Sequence, residues 1–491
     1  MKKYISIIAV FFTVGISGCK KDFLSLEVNP NSPSVTTPQL SLAGAENDAA
    51  AIINTNYSQD GIWVGYWTPS GNYVPDAAVQ QFQITNTSYT AVWTALYQNL
   101  TNLNNLQILA AKDPALGNFQ AIAMILKAYD FQQLVDQFND VPYSKAFQPS
   151  TILFPSYDKA QDIYNDLVKQ LDAAIGIINK STGGTNPGTS DITFGGNMTG
   201  WKKMANSIKL RLAIRQSTKL ATNTAASDLA STAGEGYLDE STQAVANPGY
   251  ANVAGKQSPF WLNYGSDANG NATFPNAFYR GNKFFINLLS TTNDPRTNAV
   301  YAITTGTNKI DGNVFGDTKT TLSNPATSAI GPGLLISPSQ GAVLFSGAES
   351  LFLQAEAVLD GYITTGTAQD YYKRGITASF VALGLTAAQA ATYYGQAVNN
   401  VGYTSSANPK AAIVYQKYVS LVGYNNLEAY LENQRTGIPV LKNPVSIDPS
   451  TVSNIIPVRQ YYPLSELTTN ADNLAKEGTI NIFTSKIFWE N

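Results

Sequence analysis

The sequence predicts a mostly α fold, with helical hairpins packed against an irregular, loop-rich region that carries short strands. Three observations predict it. Apolar residues recur at helical spacing over successive stretches of residues 37–217 and 346–437. Between residues 218 and 345 that periodicity fades, and Gly, Asn, Thr, Ser and Pro dominate. From Ile438 to Asn470 the chain is Pro-rich and aperiodic.

Thr37-Pro38 is a helix start, an N-cap followed by Pro at the first helical position. Leu42, Ala45, Ala49 and Ile52 then share a face as far as about Tyr57. Tyr89, Trp93, Leu96, Leu100 and Leu103 mark a second helix. Phe119, Ile122, Leu126 and Tyr129 mark a third, running to about Phe138. Ile163, Leu167, Leu171 and Ile175 mark a fourth, and Gly183 to Ser190 is a flexible link. Trp201 to Ser217 is helical again, with Lys209, Arg211 and Arg215 interleaved among Leu210, Ala213 and Ile214. In the aperiodic middle, Asn298 to Thr304 is a candidate strand. Helices resume at Ser346, with Phe352, Ala355 and Leu359 on one face before Gly361. Tyr371 to Leu383, Ala387 to about Ala397, Ile413 to Leu421 and Asn426 to Gln434 complete the set. No fixed 34-residue period links these hairpins, so spacing alone does not support a regular repeat array.

Residues 1–18 have the order of a secretion signal. Met1-Lys2-Lys3 is positive, and Tyr4 to Val14 is apolar but too short to span a bilayer. Ser17 and Gly18 then precede Cys19, the only cysteine in the chain. This ending resembles a bacterial lipoprotein box, in which the Cys is acylated and becomes the mature N-terminus. Residues 19–36, with Asn29-Pro30-Asn31-Ser32-Pro33, read as a tether, and 37–491 as one domain. Lys20, not an acidic residue, follows Cys19; among lipoproteins this resemblance implies the outer membrane.

Composition excludes several functions. There is no His and one Cys, so Ser-His-Asp and Cys-His nucleophiles and the usual zinc sites are absent. The formal net charge is −3 and no basic stripe exists, which argues against nucleic acid. Charged residues are only 13%, about half the usual share, so the surface is rich in neutral polar side chains. Asp267-Ala268-Asn269-Gly270-Asn271 offers oxygen ligands for Ca²⁺, but it lacks the spacing and terminal Glu of an EF-hand loop and reads as an Asn-Gly turn. No other cofactor is expected.

Two aromatic sets stand out. Trp63, Tyr66, Trp67 and Tyr73 lie among Gly, Pro and Asn, with no periodic reason for burial. Trp261, Tyr264, Phe274, Phe278 and Tyr279 form the second set, in the irregular region. A sugar ring presents a C–H face that a flat aromatic covers, while amides or Arg satisfy its hydroxyl edge. The expectation is one surface platform made from both sets. On it, Trp63→Ala with Trp67→Ala would weaken binding without lowering the melting temperature. Trp93 and Trp201, at helical spacing, are expected in the core, and Trp489 fits no pattern.

Several segments together resemble the SusD/RagB family of glycan-binding outer-membrane lipoproteins. Leu134-Val135-Asp136-Gln137-Phe138-Asn139-Asp140-Val141-Pro142-Tyr143-Ser144 is similar to the family's L-x-D-x-Y-G-D-x-P-Y-S segment, with Phe138-Asn139 where Tyr-Gly is common. Trp201 to Arg211 is similar to its W-x-K-x-A-N-S-L-x-L-R helix, and Asn293-Asp294-Pro295-Arg296 to its DPR turn. Glu349 to Gly361 resembles its E-x-x-F-L-x-A-E-A helix. Glu428 to Glu432 with Arg435 to Pro439, and Arg459 with Tyr462-Pro463 and Glu466, resemble two further segments. The resemblance implies tetratricopeptide-like hairpins cradling the irregular region, and no catalysis. It implies a surface lipoprotein, anchored through Cys19, that hands oligosaccharide to a TonB-dependent, SusC-like transporter. Other readings stay open from the residues alone: a peptide-binding member, a structural surface lipoprotein, or a helical glycoside hydrolase with paired carboxylates. Glu356 is the carboxylate to weigh. Among Phe352, Leu353, Ala355 and Leu359 it is expected to be part-buried, paired with Arg211, Arg215 or Arg435 as scaffold.

Overall fold

The computed structural model describes residues 36–148, 150–442 and 445–490. The signal segment and Cys19 lie outside the described residues, as does nearly all of the tether. The helices of eight or more residues are α1 (Pro38–Thr55), α2 (Thr90–Ala110), α3 (Gly117–Phe138), α4 (Ala160–Lys180), α5 (Met198–Arg215), α6 (Thr222–Ala230), α7 (Lys283–Ser290), α8 (Gly347–Leu359), α9 (Ala368–Ala382), α10 (Ala387–Tyr394), α11 (Pro409–Leu421) and α12 (Asn426–Thr436). The strands are β1 (Trp67–Pro69), β2 (Ala244–Ala246), β3 (Tyr279–Gly281) and β4 (Ala342–Phe345). The fold is therefore mostly α, as the periodicity predicts. No helix among the described residues is long and apolar enough to cross a membrane.

Local chemistry sets the helix starts. Thr37 accepts from the Leu40 amide at 3.3 Å, with Pro38 at the first helical position. Asn197, Ser346, Thr367, Asn408 and Asn425 cap α5, α8, α9, α11 and α12 in the same way. Gly437, left-handed at φ +67°, stops α12.

Neighbouring helices pack in chain order, α1 on α2, α2 on α3, α3 on α4 and α4 on α5. A second group packs α8 on α9, α9 on α10, α8 on α11 and α11 on α12, and α5 joins the groups by packing on α8. α3 is buried on nearly every face, including Asp130, Gln132, Gln133, Asp136 and Gln137. Such polar groups survive burial only with partners. Asn99 donates to Asp130 at 2.8 Å, and the Tyr164 hydroxyl and the Trp489 indole both donate to Asp136. Trp489, unassigned by sequence, is 1% exposed. Trp93 and Trp201 are buried as expected.

The middle region crosses this helical frame with two antiparallel pairs, β1 with β3 and β2 with β4. The β1–β3 register sets Trp67 opposite Gly281, Thr68 opposite Arg280 and Pro69 opposite Tyr279. The candidate strand at Asn298–Thr304 is not one. Thr297–Val300 is a helical turn, and only Tyr301 bridges, to Ile330. Asp294 causes the difference. Its carboxylate accepts from the Arg296 amide at 3.0 Å and from the guanidinium, and its carbonyl accepts from Thr297, winding the chain into a turn.

A buried ionic network and an aromatic face

Three of the family-like segments, on α5, α8 and α12, converge on a buried ionic network. Arg211 of α5 meets Glu349 of α8 at 2.6 Å, and Arg215 pairs with Glu428 of α12. Arg435 reaches Glu356 at 2.9 Å and Glu432 at 2.7 Å, and Lys417 of α11 reaches Glu432 at 2.8 Å and Glu356 at 3.5 Å. Lys410 approaches Glu356 at 3.4 Å from the edge. The Arg211 guanidinium lies 3.9 Å from the Phe345 ring centroid, and Arg215 is 5.3 Å from that of Trp489.

Glu356 thus takes Arg435 of the three expected partners; Arg211 and Arg215 serve Glu349 and Glu428. Burial pushes the Glu356 carboxyl up, but Arg435, Lys417 and Lys410 outweigh it and hold its pKa below the ordinary value. A fully enclosed, ionised carboxylate has no proton to give a substrate and no path to one. The network is scaffold: it locks α5, α8, α11 and α12 in one arrangement.

The first aromatic set is mostly core, which corrects the platform expected from sequence. Trp63 and Tyr66 are 0% exposed and Trp67 is 1%. Trp63 packs its ring within 6.0–6.4 Å of Phe82, Tyr89 and Tyr430, and its indole donates to the Val79 carbonyl at 3.2 Å. Tyr66 stacks on Tyr418, with ring centroids 4.7 Å apart, and donates its hydroxyl to the Tyr418 carbonyl. Trp67 meets Tyr301 edge-on. Tyr430, Tyr418 and Tyr301 come from hundreds of residues away, and even the nearer covers of Trp63, Phe82 and Tyr89, lie outside any helical or alternating spacing, so no local pattern marks these rings. Gly65 makes this threading possible: at φ +89°, an added Cβ would sit 2.6 Å from Phe284.

Tyr264 and Phe278 of the second set are also buried. The Tyr264 hydroxyl bonds to Ser58, and Phe278 backs onto Tyr279 at 5.1 Å. Trp261 is half-buried, lying over the Gly265 backbone. Tyr279 is half-buried beside Tyr264.

The two sets do meet, at one point. The β1–β3 pairing carries the loop after β1 to the Phe274–Phe278 helical turn before β3. There Tyr73 packs 5.3 Å from Phe274, edge to face, and 5.7 Å from Phe278. Tyr73 is half-buried, while Phe274 is 64% exposed, the most open aromatic among the described residues of either set.

The surrounding loops are tightly held. Ser70 bonds to Asn324, and Asn72 accepts from the Asn324 amide at 3.0 Å. Gly71 donates to Leu322 at 3.0 Å, in a gap where a Cβ would come within 2.7 Å of that carbonyl. Thr273 caps the turn by accepting from Asn276 at 3.2 Å. Beside Tyr73 lies Arg280, which sequence reasoning missed. It is 8% exposed, and its Nε donates to the Ala277 carbonyl at 3.2 Å; burial lowers its pKa, and no carboxylate among the described residues offsets this. A pattern of alternating burial in a three-residue strand is too short to have flagged it.

The candidate Ca²⁺ turn uses its own carboxylate. Asp267 accepts from the amides of Asn269 and Asn271, each at 2.9 Å, and from the Asn271 side chain. Among the described residues no group of three or more Asp, Glu, Cys or His gathers as a metal site.

Comparison with known proteins agrees with this architecture. Residues 30–463 match the family model SusD-like, described as starch-binding and associating with the outer membrane. A chitin-binding protein of solved structure is 26% identical, with TM-score 0.75, over 91% of this chain and 99% of its own. A SusD homolog from Bacteroides fragilis is 22% identical, with TM-score 0.75, over 93% of this chain and 100% of its own. A SusD homolog from Parabacteroides distasonis reaches TM-score 0.78 at 19% identity, over 93% and 98% of the two chains. A search of curated proteins finds no match. With a family model covering most of its length and the same helical frame around an irregular middle, the chain belongs to the SusD-like family, a family of outer-membrane-associated binding proteins rather than enzymes.

Proposed function

We propose that this protein captures oligosaccharide at the cell surface and delivers it to a TonB-dependent, SusC-like transporter in the outer membrane. The observation that carries the reading is the exposed Phe274 ring, held edge-on by Tyr73. An exposed aromatic fixed in place offers a face for sugar C–H groups at little entropic cost. The Arg280 guanidinium, which meets no carboxylate among the described residues, and the Asn72 amide offer donors for sugar hydroxyls.

The family's starch-binding description and the chitin-binding relative support a glucose- or N-acetylglucosamine-based ligand. Calorimetry with maltooligosaccharides and chitooligosaccharides tests this, with peptides as the competing class. Binding of peptide alone replaces the sugar reading. The hydrolase reading has lost its candidate acid, since Glu356 is 0% exposed. New reducing ends after incubation with either sugar would restore it.

The same reading places the protein on the membrane through acylated Cys19. A palmitate probe fed to cells labels the native protein and leaves Cys19→Ala unlabelled. Co-purification with a TonB-dependent barrel from detergent-solubilised outer membranes tests the partner.

A further inference from the structure

Apart from the aromatic face, the helical half of the molecule carries a cleft of about 450 Å³ between α2, α3, α4 and the segment that follows α3. That volume lies within the range of small-molecule sites. We infer that this cleft is a second ligand site, built for a sugar-sized carboxylate of the uronic acid kind.

Lys127 of α3 supplies the cleft's cation. Its ammonium donates to Asn104 Oδ1 and Gln107 Oε1 of α2, each at 2.8 Å. Three residues apart, Asn104 and Gln107 share one helix face, so both amides reach the same point. Both partners are neutral. Among the described residues Lys127 forms no ion pair, and burial alone lowers its pKa, to about 8. A half-buried cation held only by amide oxygens keeps a full unit of charge without a counter-ion. Its third N–H is left for something else.

The rest of the lining points to the same chemistry. Having given their oxygens to Lys127, Asn104 and Gln107 keep their NH₂ groups as donors. Gln120 adds a further amide to the wall. One wall is aromatic: Phe147 lies 5.4 Å from the Lys127 ammonium, and Tyr143 also lines the cleft. The Tyr143 hydroxyl is already committed to Asp166 at 2.6 Å, so that acid does not answer Lys127. Donors outnumber acceptors around one cation and one flat wall. A carboxylate on a sugar ring meets all three features: the anion reaches Lys127, the hydroxyls meet the amides, and the ring's C–H face covers Phe147.

Titration calorimetry of the purified chain tests this with sodium glucuronate, sodium galacturonate, glucose and sodium acetate. At least one uronate is expected to bind ten or more times tighter than glucose and acetate. Lys127→Met should weaken that binding tenfold or more. Asn104→Asp, which supplies the missing counter-ion from within, should do the same and remains informative if Lys127→Met does not fold. Equal affinity for glucose and uronate, acetate binding as tightly as uronate, no uronate binding, or retention by both variants would each overturn the assignment.

Discussion

The indole of Trp489 donates a hydrogen bond to Asp136 at 2.8 Å, across 353 positions of sequence. This contact ties the last turn of the chain to the most buried helix. The same Trp ring faces the Arg215 guanidinium, so the tail closes one side of the ionic network. Trp489→Phe keeps an aromatic side chain, smaller than the indole, and removes the donor. It should lower stability by about 1–3 kcal/mol, the cost of leaving a buried acceptor short of a partner. Chemical denaturation of the two proteins checks it.

Glu356 is the hub that Arg435, Lys417 and Lys410 share. Glu356→Gln leaves buried cations without their counter-charge and should cost about 3–5 kcal/mol. The pH dependence follows from the sign of the shifts. Glu356 and Glu432 are both held below the ordinary carboxylate pKa of 4.5 by their cations, against burial. Their contribution is therefore complete above that pH and is lost as pH falls through the depressed folded values. The stability gap between native protein and Glu356→Gln should be constant from neutral pH down to about 5 and shrink in stronger acid. Melting temperatures across that range measure it.

Asp60 carries the opposite sign. It is buried beside Trp63, with the Tyr89 hydroxyl donating at 3.2 Å, and burial raises its pKa from 3.8 to about 7. The folded protein holds this proton where the unfolded chain releases it. Asp60 thus withdraws stability as pH rises from the unfolded value to the folded one. Relative to native protein, Asp60→Asn should gain melting temperature between pH 4 and pH 7 and stay level above that.

Gly65 at φ +89° leaves no room for a side chain against Phe284. Gly65→Ala should cost about 1–3 kcal/mol. Because Gly65 leads directly into β1, the displacement also reaches the β3 partner strand and the Tyr73–Phe274 contact. Reduced oligosaccharide affinity should accompany the lower melting temperature.

Helix starts such as Thr37-Pro38 were legible because capping chemistry is local, and amphipathic spacing at Leu42 to Ile52 needs no distant partner to be seen. The scaffold role of Glu356 was legible too, since apolar neighbours within one helical turn announce burial. The fates of Trp63, Tyr66 and Trp67 were not. Tyr430, Tyr418 and Tyr301, which pack on them, arrive from more than two hundred residues away, and no local period encodes that. Burial in a helix follows spacing, whereas burial in a threaded loop follows topology. Tyr73 and Phe274 show the same point in reverse. Both are ring residues without a periodic role in the sequence, but their meeting depends on the β1–β3 register, which three-residue strands are too short to announce. Arg280 was hidden for the same reason.

The most direct test of the account is oligosaccharide affinity of the Tyr73→Ala/Phe274→Ala protein beside that of Trp63→Ala. Calorimetry with the best-binding maltooligosaccharide or chitooligosaccharide is expected to show at least a tenfold loss for the Tyr73/Phe274 variant, with its melting temperature nearly unchanged. Trp63→Ala should instead lose about 3–5 kcal/mol of stability. Undiminished affinity in a well-folded Tyr73/Phe274 variant would contradict the claim that this face holds the ligand.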